Sequence, residues 1–80
     1  MLNQTFSAIL RRHLRYLAPS EELAPETPLR ELGLDSMEAV TLVLDLEDEF
    51  GVTLPESSLT AETFANAEAL WVEVERATRH

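Results

Sequence analysis

The run Leu32-Gly33-Leu34-Asp35-Ser36-Met37 sets a serine hydroxyl where a glycine-containing loop turns into a helix. Asp35 is placed to act as the N-cap, accepting from the first free backbone N–H groups, and Glu38, three residues on, completes a capping-box-like pair. Ser36 then falls at the first helical position with its hydroxyl pointing outward. Two readings follow: a plain helix start, or a hydroxyl that acquires its chemistry from elsewhere. Nucleophilic catalysis by Ser36 itself is a poor third, because His13 and His80 lie at opposite ends of the sequence and no other histidine could serve as its base. No residue is therefore assigned a catalytic role.

Composition narrows what the hydroxyl can be for. Eighty residues make one small domain that buries roughly 60% of the surface of its unfolded chain, enough for a thin core and too little for a deep enzyme pocket. At 45% hydrophobic and 26% charged residues, the chain is too apolar to be disordered. The sequence has no cysteine, which excludes a disulfide framework, a thiolate metal site and a cysteine nucleophile. Any thiol it uses must be borrowed.

Net charge is −9, and its placement says more than its size. All fifteen acidic residues lie between Glu21 and Glu75, where Arg30 is the only base, whereas Arg11, Arg12 and Arg15 stand in an N-terminal segment without acids. Such an acidic body repels nucleic-acid phosphates and attracts basic protein surfaces. The apolar runs are a few residues long and the N-terminus lacks the basic-then-apolar order of a signal peptide, so the expectation is a cytoplasmic protein without membrane insertion.

The elements that must position Ser36 read as helices throughout. Leu2, Phe6, Ile9, Leu10, His13, Leu14 and Leu17 fall at helical spacing and predict a first helix over about 2–17, with His13 partly buried on its face. Pro19, Pro25 and Pro28 make residues 18–34 a long loop, in which Leu23, Leu29, Leu32 and Leu34 can still cover the core. A second helix is expected over about 36–50, stopped by Gly51, then a short helix over about 56–61 and a last helix over about 67–77 capped by Asn66. Nothing alternates long enough to predict a sheet. The expected architecture is all-α, one small antiparallel bundle covering residues 1–80.

The second helix carries more apolar residues than one buried face needs. Ala39, Leu42, Val43, Leu46 and Phe50 form one stripe, and Met37, Val40 and Leu44 a second, bordered by Glu38, Glu47 and Asp48. The second stripe either packs against the long loop or forms an apolar docking patch with an acidic rim, suited to a partner lined with arginine or lysine.

Taken together, Leu32-Gly33-Leu34-Asp35-Ser36-Met37, Leu42-Val43-Leu44-Asp45-Leu46-Glu47-Asp48-Glu49-Phe50-Gly51-Val52 and Leu54-Pro55 resemble the carrier proteins that bear 4′-phosphopantetheine. The likeness covers about Pro28 to Trp71. It implies a four-helix bundle of acyl-carrier-protein type, with a long loop between helices 1 and 2 and a short third helix. It also implies that Ser36 receives phosphopantetheine from coenzyme A through a magnesium-dependent phosphopantetheinyl transferase. On this likeness Asp35 and Glu38 serve capping and reading by the transferase, and Met37, Val40 and Leu44 meet partner enzymes alongside Glu47 and Asp48. Those partners are an acyltransferase, a ketosynthase or an adenylation enzyme with a basic docking surface, and the chain is a free-standing, monomeric, non-catalytic carrier.

The cargo is where the pattern thins. Thr41 stands where fatty-acid carriers commonly have an acid, and the arginine-rich first segment is also unlike them. Asp35-Ser36-Met37 and Ala65-Asn66-Ala67 are similar to free-standing peptidyl carriers and to the D-alanyl carrier of cell-wall modification. The expectation is therefore a carrier for polyketide or nonribosomal-peptide synthesis, as in antibiotic and other secondary metabolism, with a D-alanyl or fatty-acid carrier as the alternative. An acidic helical adaptor without a prosthetic group is the rival of another class. A calcium loop on Asp45, Glu47, Glu49 and Glu56 fails because its turn glycine is Phe50, so no metal ligand is assigned.

Overall fold

The computed structural model describes residues 3–18 and 20–78, which form three α-helices: α1 (Gln4–Arg11), α2 (Ser36–Phe50) and α3 (Ala67–Thr78). Asn3 opens α1 by accepting at Oδ1 from the N–H groups of Thr5 and Phe6 at 2.8 and 3.1 Å. Phe6, Ile9 and Leu10 on its inner face are buried against Leu42 and Leu46 of α2 and Leu70 and Val74 of α3 within one core. Trp71 joins the helices at one side, its ring 5.1 Å from that of Phe6 and 5.9 Å from that of Phe50.

The first helix is shorter than its spacing predicts, eight residues ending at Arg11 instead of continuing to 17. Its backbone tightens first: the N–H groups of Arg12, His13 and Leu14 donate to carbonyls three residues back. Tyr16 then gives its N–H to the carbonyl of Leu32, across the fold, at 3.0 Å. That tertiary bond and the pull of His13 toward α2 end the helix, while Leu14 stays buried and Leu17 packs on the core from a turn. The apolar period survived the change because turns of three residues still return side chains to the same side. Leu2 and His80 lie outside the described residues.

The long loop is stitched down. A 3₁₀ turn at Leu29–Leu32 buries Leu29 completely, and the Leu29 N–H donates to the carbonyl of Ala65 at 3.0 Å. An isolated antiparallel bridge pairs Pro28 with Asn66, and the Glu68 N–H donates to the carbonyl of Pro25. The loop therefore arrives at Ser36 from a fixed direction.

The expected short helix over about 56–61 is a single 3₁₀ turn at Glu56–Ser58. Leu59 leaves helical geometry at φ −93° and ψ 69°, and hydroxyls take over: Thr63 Oγ1 donates to the carbonyl of Ser58, and the Thr63 N–H to Thr60 Oγ1. Among the described residues the architecture is thus three α-helices and two 3₁₀ turns, without a strand, where four helices were expected. The last helix starts where Asn66 predicted it, with the Ala69 N–H on Asn66 Oδ1 at 2.8 Å. α2 runs unbroken through Asp45 to Phe50, a path that a calcium-binding loop could not follow.

Candidate functional site

Ser36 is the first residue of α2 and is exposed. Its position is fixed from both sides. Before it, Gly33 adopts a left-handed φ of 99°, with Arg15 and Tyr16 so close that an added Cβ would meet Arg15 Cγ at 2.9 Å. Beside it, Asp35 caps α2, its Oδ1 accepting from the Glu38 N–H at 2.8 Å. Ser36 stands at the positive dipole end of α2, a setting that suits a phosphate ester.

The capping box closes only halfway. Glu38 does not reach back to the helix start; its Oε2 lies 2.5 Å from Nδ1 of His13, whose Nε2 lies 2.6 Å from Oδ2 of Asp45. His13 is 6% exposed and so ties the end of the first helical segment to two points of α2 that lie about two turns apart. Sequence reading gave His13 a bland role because the partner carboxylates stand 25 and 32 residues away. Arg15 was missed for the same reason: its Nη2 donates to Asp35 Oδ2 at 2.9 Å, across 20 residues. The one local hint was a histidine on an otherwise apolar face.

Of the residues assigned to docking, Met37, Val40 and Leu44 stand out at 82%, 63% and 60% exposure, and Asp48 lies exposed one turn beyond. Glu38 and Glu47 are employed inside the fold. Glu47 Oε2 accepts the Leu54 N–H at 2.7 Å and its carbonyl accepts the N–H groups of Gly51 and Val52, so this residue closes the end of α2. The rim of the apolar stripe thus rests on Asp48 more than on either glutamate.

Ser36 sits on a ridge between two shallow grooves. One, of about 370 Å³, runs between α2 and the 59–64 turns and is walled by Val40, Val43, Leu44, Leu59 and Phe64. The other, of about 800 Å³, lies toward the long loop and is lined by Pro28, Arg30, Leu34 and Asn66. An arm attached at the ridge has an apolar channel on one side and a partly charged one on the other, so the residues present fit a flexible prosthetic group.

A family profile described as the phosphopantetheine attachment site matches residues 4–71. The chain belongs to that family. This carrier's cofactor is covalently attached 4′-phosphopantetheine, whose terminal thiol would supply what a cysteine-free sequence lacks. Among curated relatives, the carrier is 40% identical over 53 residues to aminoacyl carrier protein 1 of Bradyrhizobium diazoefficiens, covering 66% of this chain and 59% of that protein. It is 36% identical to aminoacyl carrier protein 2 of the same organism, over 79% of this chain and 71% of the relative. The first match therefore spans less than two thirds of its relative's length. Among solved structures, the carrier matches a chain in the crystal structure of Bradyrhizobium japonicum glycine:carrier protein ligase complexed with glycylated carrier protein. That match has a TM-score of 0.73 at 31% identity, covering 88% of this chain and 93% of the other. These relatives are carriers on which other enzymes act.

The membrane expectation meets one direct observation: no described helix is long and apolar enough to cross a bilayer.

Proposed function

We propose that Ser36 is the attachment residue and that the carrier holds an amino acid as a thioester on the phosphopantetheine arm, loaded by an adenylating ligase that docks on Met37, Val40, Leu44 and Asp48. The observation that carries this reading is the exposed hydroxyl at the first position of α2, between two grooves and next to a capping acid. The aminoacyl cargo is supported by the similarity to two aminoacyl carrier proteins and to a chain crystallised with a glycine:carrier protein ligase. That similarity favours an aminoacyl over a polyketide-type acyl cargo, and it points to neither polyketide nor nonribosomal-peptide synthesis specifically.

A fatty-acyl cargo has its own support. Identity reaches 48% to the acyl carrier protein of Saccharopolyspora erythraea, although over 42 residues that make up 51% of this chain. The apolar groove beside Ser36 is compatible with a short acyl chain.

Incubation with coenzyme A, magnesium and a broad-specificity phosphopantetheinyl transferase, read by intact mass, tests the attachment. The expected result is a gain of one phosphopantetheine, absent in Ser36→Ala. The holo protein is then incubated with ATP, glycine or another small amino acid and a glycine:carrier protein ligase, in parallel with a fatty acid and an acyl-carrier-protein synthetase. A second mass gain in the first arm alone supports the aminoacyl cargo; a gain in the second alone overturns it.

A further inference from the structure

We propose that Arg15 is a positioning residue for phosphopantetheinyl transfer to Ser36, acting through Asp35; the inference rests on Ser36 being the attachment residue. In the transfer, the Ser36 oxygen forms a bond to the β-phosphorus of coenzyme A. The bond from that phosphorus to the bridging oxygen breaks, adenosine 3′,5′-bisphosphate leaves with the electron pair, and the serine proton passes to a base of the transferase. The donor is thus a polyanion arriving at a hydroxyl whose immediate neighbour, Asp35, is an acid in a strongly acidic body.

The structure sets a cation directly on that acid. Asp35 divides its carboxylate: Oδ1 caps α2 on the Glu38 N–H at 2.8 Å, and Oδ2 receives Arg15 Nη2 at 2.9 Å. Both oxygens are occupied, so the carboxylate is held between the start of α2 and Arg15, and its charge is offset at the point where the donor approaches. The guanidinium is itself held in place. Its stem lies over Gly33, where a Cβ would meet Arg15 Cγ at 2.9 Å, and the next residue, Tyr16, bonds the carbonyl of Leu32. Segment 15–16 therefore acts as a strut beneath the loop that presents Ser36.

Exposure separates this role from a merely structural one. Arg15 and Asp35 are 57% and 56% exposed. A pair so open to solvent adds little to stability, so its removal leaves a folded protein in which the acceptor can still be assayed.

The test is steady-state transfer from coenzyme A to the full apo chain by a magnesium-dependent transferase, with folding checked by circular dichroism. Arg15→Met keeps an unbranched stem over Gly33 and removes the charge; it is expected to lower kcat by about tenfold with KM within about twofold, and Arg15→Lys to recover kcat to within about threefold. In an Asp35→Asn background, where the cap oxygen remains but no charge needs offsetting, Arg15→Met is expected to cost nothing further. Transfer to Arg15→Met at the native rate, a loss confined to KM, Arg15→Lys as slow as Arg15→Met, or an undiminished penalty in Asp35→Asn each overturns the proposal. The Ser36→Ala control keeps the two readings apart: modification that persists there removes the attachment site, whereas modification that stops there while Arg15→Met reacts normally removes only the role of Arg15.

Discussion

His13 Nε2 and Asp45 Oδ2 lie 2.6 Å apart and join residues 32 positions distant in the chain. The opposite ring nitrogen meets Glu38 at 2.5 Å, so one buried imidazole spans two carboxylates on α2. His13→Ala removes both ring contacts with the α2 carboxylates and the buried imidazole itself. The expected loss is about 1–3 kcal/mol, read as a lower Tm in thermal denaturation, with the far-ultraviolet spectrum retained. A Tm unchanged within a degree would mean the clamp is dispensable.

The apolar stripe and its acidic rim make opposite predictions for neighbouring residues. Leu44→Arg replaces an exposed side chain on a well-formed helix, so stability should stay within about 0.5 kcal/mol while loading by the ligase falls. Glu47→Lys is expected to act on the fold, because the carboxylate that accepts the Leu54 N–H is lost and an ammonium, which only donates, cannot replace it. A cost of about 1–2 kcal/mol in denaturant titration is expected for Glu47→Lys. Equal stability of the two variants would count against the assignment of Glu47 to the helix end.

The two glycines separate backbone strain from crowding. Both have left-handed φ, 99° at Gly33 and 63° at Gly51, but only at Gly33 would a Cβ meet neighbouring atoms. Gly51→Ala should cost about 1 kcal/mol, the penalty for placing an alanine in this region. Gly33→Ala should cost more and also slow phosphopantetheinyl transfer, since Arg15 must shift to make room. Chemical denaturation of both, with transfer rates alongside, checks the order; a Gly33→Ala variant that transfers at the native rate would show that the loop tolerates the shift.

Where the sequence was legible, the determinants were local. Asp35, Gly51 and Asn66 announce helix ends through their own backbone bonds, and Leu42, Val43 and Leu46 announce a buried stripe through spacing alone. Ser36 was legible as the opening residue of α2 because the capping motif around it is contiguous. What stayed hidden depends on residues far apart in the chain: the end of α1 is decided by the bond from Tyr16 to Leu32, and the fates of Glu38 and Asp35 by His13 and Arg15. The short third helix was overestimated because Thr60 and Thr63 hydroxyls compete for backbone groups that a helical pattern takes as paired.

α2 is closed at its start by Asp35 and at its finish by Glu47 and Gly51, so residues in or next to the helix secure both ends. Its inner face is committed to the core and its ends to themselves, leaving Met37, Val40, Leu44 and Asp48 without duties in folding. On the proposed reading, those four positions answer to the partner enzyme and not to the core. Lineages could exchange one loading enzyme for another by changing them alone, with the scaffold and the point of attachment untouched.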